Sequence, residues 1–187
     1  SFEKADKNSS RFRNIQLTIF LSGLSVFAQL YLFQPLFPTI AKDFKTSIGD
    51  SSLLVSSSTL GMALGLFFFA FKSDCFSRKY QMLFALLSSS LLIITSVWIE
   101  SLPLLILMGI VKGFVIAGVS AVALAYLTEE VKVSFIGLAI SMYLNGNTIG
   151  GMSGRIVATI LDGEIGWRHT VMIIGLISLI LALMNGI

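Results

Sequence analysis

The chain has little of what chemistry in water requires. Its 187 residues include one histidine, one cysteine and three prolines, and only 12% are charged. A lone cysteine, Cys75, excludes an internal disulfide and leaves the redox compartment undetermined. No metal site and no cofactor is expected. Acids are missing from every long apolar run: Asp43, Asp74, Glu100, Glu129, Glu130, Asp162 and Glu164 all fall at loops or helix ends. A proton relay at membrane depth usually needs a carboxylate or histidine there. A coupling proton, as a partner, therefore belongs to another part of the protein or is not used.

What is present is apolar. Hydrophobic residues make up 55% of the chain, and mean hydropathy is +0.89. No water-soluble domain of this length hides so much apolar surface, so the partner surrounding it is a lipid bilayer. A spanning helix needs about 20 apolar residues. Six such stretches are read, at 15–38, 51–71, 80–99, 103–127, 134–161 and 169–187, after a polar tail at 1–14. The expected fold is an all-α six-transmembrane-helix bundle with no room for a soluble catalytic domain. The first apolar run is too long for a signal-peptide core, and no small-residue cleavage site follows it.

The net charge of +3 is explained by its placement. Lys4, Lys7, Arg11, Arg13, Lys72, Arg78, Lys79 and Lys132 fall on one side, against Lys42, Lys45 and Arg168 on the other. Eight against three is the positive-inside asymmetry, which places the N-terminus in the cytoplasm. These basic groups are topology signals rather than a nucleic-acid surface. Trp98 and Trp167 are expected at the membrane interface, as aromatic belts require. The start at Ser1 and the stop at Ile187, without a polar tail, suggest a fragment.

The stretches T-L-G-M-A-L-G at 59–65 and T-I-G-G-M-S-G at 148–154 are offset by 89 positions. The same offset pairs Ala28 with Ala117, Lys79 with Arg168 and Ser89 with Ser178. Three hydrophobic segments read twice point to a transporter built by duplication, with two inverted three-helix repeats. Pro35 and Pro38 should bend or close the first helix. Ser47 and Asp50 fit a capping-box start for the second. Gly61 with Gly65, then Gly146, Gly150 and Gly154, stand four apart and should let helices approach closely. With Gly151 added, the fifth helix should be deformable as well as tightly packed.

The run G-L-F-F-F-A-F-K-S-D-C-F-S-R-K-Y resembles the cytoplasmic signature of the major facilitator superfamily, with Asp74, Arg78 and Lys79 matching. Ala70 and Ser77 stand where that family has glycine. Y-L-F-Q-P-L-F-P-T-I-A-K-D-F, the fourth span and Y-L-N-G-N-T-I-G-G-M-S-G-R resemble its bacterial YnfM-like inner-membrane branch. The likeness covers the whole chain as the N-terminal half of a twelve-helix protein. It implies a secondary active transporter of a small solute, an exporter working by alternating access in a bacterial cytoplasmic membrane. Its partners would be a small-molecule substrate and a C-terminal six-helix half. It also implies that Asp74, Arg78 and Lys79 form a cytoplasmic gate, that the first and fourth helices line the cavity, and that the third and sixth face lipid. Against the family patterns, Gly109 and Lys112 replace an arginine and a glutamine in the fourth helix. In the fifth, Gly151 and Arg155 replace a proline and a glycine.

Arg155 and Lys112 are the sharpest candidates for substrate contact. A cation at depth costs at least about 2.5–3.5 kcal/mol, so each should face a cavity or a partner. With no acid inside the spans, those partners are substrate, backbone carbonyls or carboxylates elsewhere. Gln34, Asn145, Asn147, Tyr31 and Tyr126 complete the candidate substrate-binding set. Glu129 and Glu130 read as a solvated turn. Two other classes match parts of the sequence less well. Gly151-Met152-Ser153-Gly154 matches the G-x-S-G of rhomboid-like intramembrane serine proteases, but Ser153 would need His169 as base, and helical rise places the two apart. A channel or non-transporting membrane scaffold is the other alternative, and no filter or charge ring is present.

Overall fold

The computed structural model describes residues 4, 9–72 and 77–185, helical apart from short connections. Helix α1 spans Ser10–Tyr31, α2 Phe37–Asp43, α3 Ile48–Lys72, α4 Arg78–Ser96, α5 Leu102–Glu130, α6 Ile136–Ile165 and α7 Trp167–Asn185. Asp74 and Cys75 lie outside the described residues.

The ends of the helices follow local chemistry rather than hydropathy. Ser9 has extended backbone, and its hydroxyl accepts the Phe12 N–H at 3.1 Å. That cap starts α1 at Ser10, earlier than the expected residue 15, so the polar stretch is partly helical. The first span is not one helix to residue 38. It stops at Tyr31, passes through a 3₁₀ turn at Gln34–Leu36, and resumes as α2. Pro35 and Pro38 occupy the first turns of those two segments. Neither proline has an N–H, so the Tyr31 and Gln34 carbonyls lose their helical donors.

Helix α2 ends in a Schellman motif. Lys45 takes φ 54°, Thr46 N–H reaches the Ala41 carbonyl at 2.9 Å, and Lys45 N–H reaches Lys42 at 3.3 Å. The Ser47 hydroxyl then accepts the Asp50 N–H at 3.0 Å, and the Asp50 carboxylate accepts the Thr46 hydroxyl at 2.7 Å. This starts α3 with the Ser–Asp spacing expected of a capping box.

Among the described residues, five helical segments are long and apolar enough to cross a membrane: α1 through α2, α3, α4, α5 and α7. Helix α6 is longer than any of them except the α1–α2 segment, but Asn145, Asn147, Thr148 and its glycines dilute its hydropathy.

Two seams organise the bundle: α3 against α5 and α1 against α6. In each, glycine lets backbone touch backbone. A Cβ built on Gly150 would lie 2.6 Å from the Leu24 Cα, and one on Gly61 would lie 2.8 Å from the Ile110 carbonyl carbon. Gly146 presses on Phe20 in the same way. Gly65 meets Ala117, and Gly154 meets Ala28. Those two contacts are separated by the 89-residue offset of the sequence repeat. Around the seams lie two apolar cores. One, with Ile19, Leu86, Ile116 and Leu127, fills the end carrying the N-terminus; the other, with Leu36, Ile40, Leu54, Ile93 and Val171, fills the opposite end.

Ionic staples close both ends. At the N-terminal end Arg78 pairs with Glu129 at 2.8 Å and Arg11 with Glu130. These glutamates are therefore paired across helices, not merely solvated. At the far end Arg168 donates to the Val97 carbonyl at 2.6 Å and the Ile99 carbonyl at 2.9 Å, capping the C-terminus of α4. Its guanidinium also stands 3.6 Å from Asp43 and stacks on Trp167 at 4.4 Å. Trp167 is only 3% exposed and donates to Asp43 at 3.0 Å. It is thus an internal anchor, whereas Trp98 is exposed as a belt residue should be. Arg168→Ala is expected to free two terminal carbonyls and to speed amide exchange at residues 97–100 about tenfold, read by hydrogen–deuterium exchange.

Candidate functional site

The break in α1 is where the buried charge converges. The last carbonyls of a helix carry a partial negative charge and lack intrahelical donors. Pro35 enlarges that deficit by withholding the donor to Tyr31. Lys112, on α5, answers it from inside the bundle. It is 2% exposed, its ammonium donates to the Gln29 carbonyl at 2.9 Å, and it lies 5.0 Å above the Phe33 ring. No carboxylate accompanies it among the described residues. Helix dipole, carbonyl and ring face together supply its counter-charge.

Arg155, on α6, addresses the same turn of α1. Its guanidinium carbon lies 4.5 Å over the Tyr31 ring. Its Nε is buried and has no hydrogen-bond partner among the described residues. An open depression of about 240 Å³ runs beside it, between Arg155, Thr159 and two isoleucines. Tyr31 also roofs Gly151. A Cβ there would meet only the Tyr31 ring, at 4.0 Å, whereas its neighbours Gly150 and Gly154 press on α1. Gly151 therefore leaves space beside Arg155 instead of closing a seam.

The structure brings Arg155, Tyr31 and Gly151 together, with Lys112 on the same broken turn. It does not gather the rest of the expected set there. Gln34 is exposed on the 3₁₀ turn, and Asn145 is exposed on another face of α6. Asn147 packs its Oδ1 on Gly23, where a Cβ would lie 2.6 Å from that oxygen. The oxygen has no hydrogen-bond partner among the described residues and packs between α1 and α6. Tyr126 is half-buried nearer the N-terminal end, beside Thr18 and Lys79. Lys79 turns toward that crevice, while Arg78 engages Glu129.

Gln29 was missed at the level of sequence. Its side chain is fully buried and donates to the Ser25 hydroxyl at 3.0 Å, and its Oε1 has no partner among the described residues. A glutamine in the apolar run A-Q-L-Y-L-F was the available signal. That its carbonyl holds Lys112 was not readable without the fold. Ser153 and His169 do not form a pair. The His169 ring is engaged with the Ile165 carbonyl at 3.0 Å, and Ser153 lies about 18 Å of helix before that residue.

The profile of the Major Facilitator Superfamily matches residues 19–186. The chain is 35% identical over 178 residues to the inner membrane transport protein YnfM of Escherichia coli K12, covering 95% of this chain and 43% of that protein. It is 33% identical over 174 residues to an MFS-type transporter, YybF, of Bacillus subtilis 168, covering 93% and 43% respectively. It is 26% identical over 140 residues to a chloramphenicol resistance protein of Streptomyces lividans, covering 75% and 36%. The chain thus spans about two-fifths of the length of the first two curated relatives.

Proposed function

The chain belongs to the Major Facilitator Superfamily, and on that footing we propose that it is the N-terminal six-helix half of a secondary transporter for a small solute. Helix α6 is the fifth of six crossings in this reading. Gly146, Gly150, Gly154 and Asn147 sit on its seam with α1, and Gly151 is buried beside Tyr31, so that face is turned away from lipid. Two inverted three-helix repeats account for the 89-residue offset that relates Gly65 to Gly154 and Ala28 to Ala117 in these two contacts. The bundle rocks against a second half around a central cleft, giving alternating access in a bacterial inner membrane. Its basic end, carrying Arg11, Arg78 and Lys79, lies in the cytoplasm by the positive-inside rule. Asp74 and Arg78 serve the inner gate there, with Lys79 beside them. Export is the favoured direction, supported by the similarity to a resistance protein.

The observation that carries this reading is Arg155. It is a cation on a mid-bundle helix whose buried Nε has no partner, and which has no carboxylate beside it, among the described residues. Such a group is tolerated at depth when a substrate or an aqueous path completes it. It suits the anionic group of a solute, with the Gly151 gap making room.

Two measurements test the proposal. The full-length protein in proteoliposomes is expected to show saturable uptake and counterflow; linear, non-saturable flux would indicate a pore instead. For orientation, a membrane-impermeant thiol reagent is expected to label Cys75 in inside-out vesicles and not in intact cells. Labelling from outside the cell would reverse the topology.

A further inference from the structure

At the basic end, a crevice of about 760 Å³ opens between α1, α4, α5 and α7. Its wall is mixed. Arg11, Asn14, Thr18, Lys79 and Tyr126 bring donors to one side, while Leu17 and Met184 bring exposed apolar side chains to the other. The charges that face it are Arg11, Lys79 and Glu130. Arg11 and Glu130 neutralise one another. Lys79 has no acidic partner among the described residues, so the described side chains lining the crevice carry a net positive charge. Polar donors above an apolar flank match the layering of a phospholipid, which carries its phosphate at the surface and its chains below. Free phosphate uses only the upper part.

We propose that this crevice binds the headgroup of an anionic phospholipid of the cytoplasmic leaflet. Lys79 and the hydroxyls of Thr18 and Tyr126 hold the phosphate, and the acyl chain lies along Leu17 and Met184. The inference rests on the cytoplasmic placement of this end, and on no assignment of the solute site. Basic pockets between spanning helices on that side are where anionic headgroups are held. The occupant would bridge the first, third, fourth and sixth long helices away from the α1 break, acting as a structural lipid.

The test uses the full-length protein in mixed phosphatidylglycerol–phosphatidylcholine vesicles, extracted gently, with retained lipid counted by mass spectrometry. Phosphatidylglycerol is expected to be enriched over phosphatidylcholine. Lys79→Gln should cut the enrichment about fivefold, as loss of one basic contact at the surface does. Lys45→Gln, at the opposite end, should leave it unchanged. Leu17→Trp, which fills the apolar flank and keeps every charge, should also reduce retention. Equal retention of the two lipids, or an unchanged Lys79→Gln variant, overturns the proposal. If inorganic phosphate raises the melting temperature as much as phosphatidylglycerol and displaces it, the site is one for a soluble anion and the lipid assignment falls. Solute counterflow and Cys75 labelling are read separately, so failure here is distinguishable from failure of the transporter reading.

Discussion

Replacing Gly150 with alanine is expected to cost the bundle about 2–3 kcal/mol, or to stop it accumulating in the membrane, while alanine at Gly151 should change stability by less than about 0.5 kcal/mol. The two positions are adjacent in one helix and have the same intrinsic preference. They differ in what a methyl group would meet. At Gly150 it would collide with the Leu24 backbone, its Cα only 2.6 Å away. Backbone cannot swing aside as a side chain does, so α1 and α6 must separate and lose dispersion contacts along the whole seam. At Gly151 the methyl would meet the Tyr31 ring at ordinary contact distance. Gly137, with nothing within 4 Å, is a third comparison, where alanine should gain a few tenths of a kcal/mol from helix propensity. Thermal unfolding in detergent of all three variants checks the ordering. Equal losses at Gly150 and Gly151 would mean that the seam does not pass where the structure puts it.

Arg155→Met in the full-length protein is expected to lower transport at least about 100-fold without lowering the melting temperature. Among the described residues the guanidinium has no carboxylate to abandon, and it rests on the Tyr31 face. Removing it strands no charged partner, so the folding penalty that follows breakage of a buried ion pair is absent. What disappears is a buried cation whose Nε lacks a partner among the described residues, beside open space. Arg155→Lys should restore little, because an ammonium neither stacks on the ring nor offers the planar fork of a guanidinium. Initial rates and melting curves on the same preparations separate the two effects. A fall in stability with unchanged specific activity would make Arg155 a packing residue.

Much of this was legible beforehand, for stated reasons. Lipid as solvent follows from composition alone. The glycine rows and the 89-residue offset survive as contacts because small residues at i, i+4 have few other uses in an apolar helix. Pro35 and Pro38 announced a bend, but hydropathy carried the first helix across it, since both sides of the break are equally apolar. Hydropathy also overlooked Ser9, whose cap is a single local hydrogen bond. Lys112 was recognised as a buried cation in need of a partner, yet a backbone carbonyl has no signature in sequence, so Gln29 escaped notice. Trp167 was assigned by average behaviour to the membrane surface. Its neighbour Arg168 and the distant Asp43 drew it inside, and only the fold joins those positions.

The glycine contacts between α1 and α6 bear on how such a bundle can move. Gly146, Gly150 and Gly154 engage Phe20, Leu24 and Ala28 one turn at a time, like teeth on a rack. A shift of one or two residues would drive a side chain into main chain, so small sliding along this line is sterically barred. The pair must travel as a single girder. Any hinge of the machine then lies elsewhere, at the kinked turn of α1 or on the outer faces, where nothing interlocks.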